Sequence, residues 1–103
     1  KAVINSQEGD TILTLKQLTP VRLMRNHFFL QVQEAERRCA PKEELIQLLG
    51  RARAKMGMFE GNLDEGELEI GQVSAILKDM PPAAFIVENV KKEFSEALAN
   101  PIK

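Results

Sequence analysis

LTPVRLMRNHFFLQVQEA, residues 18–35, is the stretch whose reading decides the fold class. Val21, Met24, Phe28, Val32 and Ala35 recur at spacings of three and four, the repeat that lines one face of an α-helix. Thr19 stands where an N-cap belongs and Pro20 at the first helical position, where its missing N–H costs nothing. Arg22, Arg25, Gln33, Glu36 and Arg37 fall on the other side as a solvated face. The pattern predicts a helix of about four turns. Ala40-Pro41 ends it, because the residue before a proline avoids the right-handed helical region.

The same reading extends downstream. A second helix begins at Pro41, with Glu43 and Glu44 in its first turn complementing the helix dipole and Leu45, Leu48, Leu49, Ala52 and Met56 as its apolar stripe. Gly57 reads as its C-terminal stop. A short helix from about Ile70 to Leu77 is ended by Asp79-Met80-Pro81-Pro82. The last helix, from about Pro82 to Ala99, carries Ile86, Val87, Val90, Phe94 and Leu98 on one face and ends at Asn100-Pro101. Upstream, Thr11-Ile12-Leu13-Thr14-Leu15 alternates like a short strand after the turn signal Glu8-Gly9-Asp10, but has no evident partner, so an extended arm or a helix end are alternatives. The expected fold is all-α: about four helices, a glycine-rich acidic loop and a possible short N-terminal extended arm, in one segment spanning 1–103.

Composition excludes several function classes. Fourteen basic and fifteen acidic residues give a net charge of −1, so no global field draws nucleic acid or an anionic membrane. Apolar runs fall far short of the roughly 20 residues that span a bilayer. A single cysteine, Cys39, cannot form an internal disulfide; it suits a reducing, cytoplasmic setting and reads as a buried or half-buried apolar residue.

Candidate sites separate against their structural alternatives. The loop Glu60 to Glu69 is rich in carboxylates, yet a calcium loop needs Gly at its sixth position and Glu at its twelfth. Counted from Glu60 these are Glu65 and Gly71, so the register fails and a solvated acidic loop is the better reading. His27 has no second His and no Cys nearby and reads as a residue at the boundary between core and solvent. Arg37, Arg38, Arg51, Arg53 and Lys55 are diluted by interleaved acids; a solvated face outweighs a phosphate or acyl-carrier-protein site. Glycines recur at 57, 61, 66 and 71, each able to take positive φ or to admit a close neighbour. At Gly71-Gln72 the loop becomes a helix, leaving first-turn amides open to an anion or a polar ring edge, and Gln72 adds two donors and an acceptor.

The run Glu60-Gly61-Asn62-Leu63-Asp64-Glu65-Gly66-Glu67-Leu68-Glu69-Ile70-Gly71-Gln72-Val73-Ser74-Ala75-Ile76 resembles the C-terminal region of the nitronate monooxygenase (2-nitropropane dioxygenase) family, which includes FMN-dependent enoyl-acyl carrier protein reductases. Asp10-Thr11, Pro20-Val21-Arg22 and Arg25-Asn26 look like that family's segment just past the last strand and helix of the barrel, so the resemblance runs from Asp10 to about Leu98. It implies a parent enzyme built on a TIM-type barrel with FMN at the C-terminal face of its strands. It also implies that Gly71 and Gln72 sit close to the flavin. The family's catalytic histidine lies in the barrel, and nothing here matches its motif. The expectation is a C-terminal helical segment that packs on the barrel, completes the flavin and substrate pocket, and binds no cofactor alone. Lys1 in place of Met leads to the same expectation of a piece. The alternative is a non-enzymatic helical module forming a homo-oligomer through the apolar faces of residues 21–35 and 86–98, since exposed apolar patches promote association.

Overall fold

In the computed structural model, which describes residues 1–102, two strands stand where the first long helix was expected to begin. β1 (Thr11–Thr14) and β2 (Val21–Met24) pair antiparallel, with Thr11 opposite Met24, Ile12 opposite Leu23, Leu13 opposite Arg22 and Thr14 opposite Val21. The chain is therefore not all-α. The run Val21-Arg22-Leu23-Met24 fits a period of two as well as one of 3.6, and Thr11–Thr14 supplies the partner that a lone strand lacked. Its buried residue is Leu23, which the helical reading had left off the apolar face. The hairpin turns through Leu15, whose φ is 53°, with the Leu18 amide donating to the Leu15 carbonyl at 3.0 Å.

A third extended piece joins β2 from far along the chain. Glu69 bridges Leu23 in antiparallel fashion, the Met24 amide donates to the Leu68 carbonyl at 2.9 Å, and the Ile70 amide to the Arg22 carbonyl at 3.1 Å. β2 is thus paired on both edges.

The first long helix starts only at His27. α2 (His27–Arg37) is capped by Asn26, whose side chain accepts from the Phe29 amide at 2.8 Å. It buries Phe28, Phe29, Val32 and Ala35. α3 (Lys42–Leu49) follows Pro41 as its N-cap and adds Leu45. With Leu15, Leu23 and Ala40 these side chains form the core. Cys39, expected to be buried or half-buried, is exposed in the connection, with φ 56°.

The second expected helix is two. Gly50, with φ 62°, closes α3, and Ala52 in the left-handed region turns the chain into α4 (Arg53–Met58). Gly57 is not a stop: it lies inside α4, buried against the backbone of Gly66, where a Cβ on Gly66 would fall 2.2 Å from the Gly57 Cα.

The short helix expected near Ile70–Leu77 is a 3₁₀ turn over Gln72–Ile76 with Gly71 as its N-cap. It packs against the single-turn α1 (Ala2–Asn5), and Lys78 Nζ donates to the Ser6 carbonyl at 2.6 Å. α5 (Ala83–Ala99) follows Pro82 with the bounds expected. It buries nothing: Phe85, Ile86, Val87, Val90, Phe94 and Leu98 are all exposed. Among the described residues no helix is long and apolar enough to cross a membrane.

Candidate functional site

The acidic loop, expected to be merely solvated, is seated on the helices at both ends. Asn26 Nδ2 donates to the carbonyls of Leu63 (2.9 Å) and Gly66 (2.8 Å), while its Oδ1 caps α2. The Phe28 amide donates to the Asp64 carbonyl at 3.0 Å. Arg53 Nη1 donates to the Glu65 carbonyl (2.7 Å) and to its Oε2 (3.2 Å), and its guanidinium lies 4.5 Å from the centre of the Phe28 ring. Glu65 Oε1 pairs with His27 Nδ1. That hydrogen bond, helped by Arg53, holds the Glu65 carboxyl below the usual carboxylate range against some desolvation. His27 is an exposed partner of Glu65 at the loop and lines an open surface cavity of about 500 Å³ with Leu30, Gln31, Glu34 and Arg38. The basic patch is dispersed: Arg37 pairs with Glu34, Arg38 with Glu44 and Arg53 with Glu65.

Asn26 joins helix cap and loop in one side chain. Asn26→Ala removes a cap worth about 1 kcal/mol and leaves two loop carbonyls without their donor, so a loss of about 2 kcal/mol is expected on chemical denaturation. A loss confined to a few tenths of a kcal/mol would show the loop seated by other contacts.

Residues 67–70 carry a feature the sequence reading passed over. Alternate residues of an extended segment face opposite sides, so Glu67 and Glu69 stand on the side of Val21 and Leu23, and Leu68 and Ile70 on that of Met24. Glu67 is 8% exposed. With Glu69 it lines a cavity of about 230 Å³ walled by Leu15, Leu18, Thr19, Pro20, Val21 and Leu49. Burial, reinforced by the neighbouring Glu69, pushes the Glu67 carboxyl up to about 7, while Arg53 pulls the other way. The signal was present as the alternation Glu67-Leu68-Glu69-Ile70, with acids where a strand's core side would be apolar. A second, largely apolar cavity of about 240 Å³ is lined by Met24, Met58, Leu63, Leu68, Glu69 and Ile70 with Ala2 and Val3 of α1. Among the described residues no cluster of three or more His, Cys, Asp or Glu could hold a metal ion.

Gly71 and Gln72 follow this segment and are both exposed; neither lines those two cavities. Gly71 has φ −77° and ψ 164°, a conformation open to any residue. A Cβ there would meet nothing closer than Val73 Cγ1 at 3.9 Å, so the fold itself does not require the glycine. The turn that follows spans five residues of 3₁₀ helix, too short for the aligned amides of a long helix, which leaves the Gln72 side chain as the polar group on offer. Behind it Ser74 is 1% exposed, and its hydroxyl has no hydrogen-bond partner among the described residues.

No protein-family profile matches the chain, and no curated protein does. Solved structures do. FabK from Thermotoga maritima aligns over 94% of this chain and 30% of its own, with 26% identity and a TM-score of 0.77. A single-substitution mutant of FabK from the same organism aligns over 94% of this chain and 28% of its own, with 24% identity and a TM-score of 0.71. The chain thus spans less than a third of the length of the FabK chains it matches.

Proposed function

We propose that this chain is the C-terminal segment of an FMN-dependent oxidoreductase of the nitronate monooxygenase and enoyl-acyl carrier protein reductase kind, packing on a barrel and adding Gly71 and Gln72 to the flavin and substrate pocket. The likeness to under a third of FabK over nearly all of this chain carries the reading. The exposed apolar face of α5 supports it, because a surface with no partner in the chain is what a segment cut from a larger body presents.

The residues at the junction suit one wall of a flavin site. Gly71 leaves open space where a Cβ would stand, so a planar ring can approach the backbone closely. Gln72, exposed beside it, offers an amide whose donors and acceptor complement the alternating carbonyl and N–H edge of a flavin. FMN, when bound, supplies the hydride chemistry. Gln72 would orient the ring edge, and α5 and the loop would exclude water from one side of the pocket. The barrel would hold the rest of the flavin, its phosphate included.

The test is flavin absorbance together with nitronate oxidation or nicotinamide-dependent enoyl reduction, in the 103-residue chain and in the intact enzyme. The chain alone is expected to hold no FMN and to turn over neither substrate; bound FMN and turnover would sink the dependence on a barrel. In the intact enzyme Gln72→Ala is expected to weaken FMN about tenfold, the loss of hydrogen bonds worth about 1.4 kcal/mol. Unchanged affinity and kinetics would remove Gln72 from the site.

The bare face of α5 also favours a second reading, a helical module that self-associates through it. An upstream reading frame encoding βα repeats decides for the first; its absence decides for the second.

A further inference from the structure

The position of Gly71-Gln72 depends on how residues 67–70 are seated. Three backbone hydrogen bonds hold this segment: Met24 N–H to the Leu68 carbonyl, Ile70 N–H to the Arg22 carbonyl, and Glu67 N–H to the Arg53 carbonyl at 3.0 Å. Glu67, buried at 8% exposure, has no ion pair and no backbone or hydroxyl donor to its carboxylate among the described residues; its neighbour at the cavity wall is another carboxylate, the solvent-exposed Glu69. A buried carboxylate without a cation keeps its charge only at a high cost, and a second carboxylate beside it raises that cost.

We infer that residues 67–70 form a proton-operated latch, in which the buried Glu67 carboxyl keeps its proton while the segment is seated on β2 and loss of that proton loosens it and displaces Gly71-Gln72. Two charged groups act on Glu67. Glu69 comes from the segment itself and Arg53 from α4; the hairpin and α3 present Leu15, Leu18, Thr19, Val21 and Leu49. Arg53 is committed to Glu65 and to the Phe28 ring, so it offsets a charge on Glu67 in part. Glu67 is held above the ordinary value of 4.5, up to about 7, which means the seated form binds the proton more tightly than the free one. The stabilisation is therefore fully present below about 4.5 and is lost as pH rises through about 7. The latch rests on the proposed flavin reading only for what the displacement would do; its operation concerns this segment alone.

Hydrogen–deuterium exchange of the peptide spanning 67–72, in the intact protein without added flavin, tests it directly. After correction for intrinsic rates, protection is expected to fall about tenfold between pH 6 and pH 8, the factor that one pK unit of differential proton binding supplies. Glu67→Gln, neutral at every pH, is expected to keep its protection across that range, while Glu60→Gln on the exposed loop follows wild type. Wild-type protection that is flat from pH 6 to 8 overturns the latch without any variant, as does a parallel fall in Glu67→Gln. Because no flavin enters the measurement, the flavin reading can fail while the latch stands.

Discussion

Gly66→Ala is expected to cost more than about 3 kcal/mol, beyond the usual 1–3 kcal/mol of overpacking. A Cβ at residue 66 would stand 2.2 Å from the Gly57 Cα, 2.6 Å from the Gly57 nitrogen and 2.5 Å from the Asn62 carbonyl oxygen. All three are backbone atoms, so no rotamer change relieves the clash; α4 and the loop must part. Parting them strains the Glu67 amide from the Arg53 carbonyl and the Gly66 carbonyl from Asn26. Domains of this size hold about 5–15 kcal/mol in all, so a large share of the stability goes with one methyl group. Gly71→Ala is the control: ordinary backbone angles and a nearest contact of 3.9 Å leave stability within about 0.5 kcal/mol of wild type. Urea denaturation of the two variants decides. Similar midpoints would mean that Gly57 and Gly66 do not touch as described.

Phe28→Ala is expected to lose about 3–5 kcal/mol, the range for deleting a fully buried ring. Phe28 is 0% exposed at the start of α2, where core and loop meet. One side of its ring packs in the core, and the Arg53 guanidinium lies against the ring at 4.5 Å. Such a contact adds about 0.5–2 kcal/mol, depending on desolvation, and the Arg53 side chain is only 22% exposed. Phe28→Leu separates the two effects, since it keeps most of the volume and removes the ring face. The leucine variant should recover more than half of the loss, and a thermal melt that ranks it below alanine would contradict the packing described.

These effects fall where the sequence was hardest to read. α3 and α5 were legible because proline starts each of them and their apolar residues repeat at helical spacing without a competing pattern. Val21–Met24 was not, because Val21, Met24 and Phe28 satisfy a helical spacing while Leu23, the residue the core takes, falls outside it. The evidence for a strand lay in its partners, Thr11–Thr14 on one edge and Glu69 on the other, and pairing is not a local property. Gly50 was overlooked because leucines and Met56 continue in phase across it. Gly57 and Gly66 were noticed as glycines, but that they need each other follows only from α4 and the loop lying in contact. Gly71 and Gln72, legible as a loop-to-helix junction, are exposed, whereas the buried acid Glu67 escaped notice because acidic loops are ordinarily wet.

The pairing of Leu23 with Glu69 encloses all of α2, α3 and α4 between its two partners. Closing so long a loop costs entropy that the enclosed helices must first reduce, and contacts of this sequence separation form late and slowly. The helices and the β1–β2 hairpin can assemble from local contacts, but the last edge of the sheet cannot. Gly71 and Gln72 therefore take their places among the final events of folding, and a chain caught short of that step would have a nearly complete core and a misplaced junction.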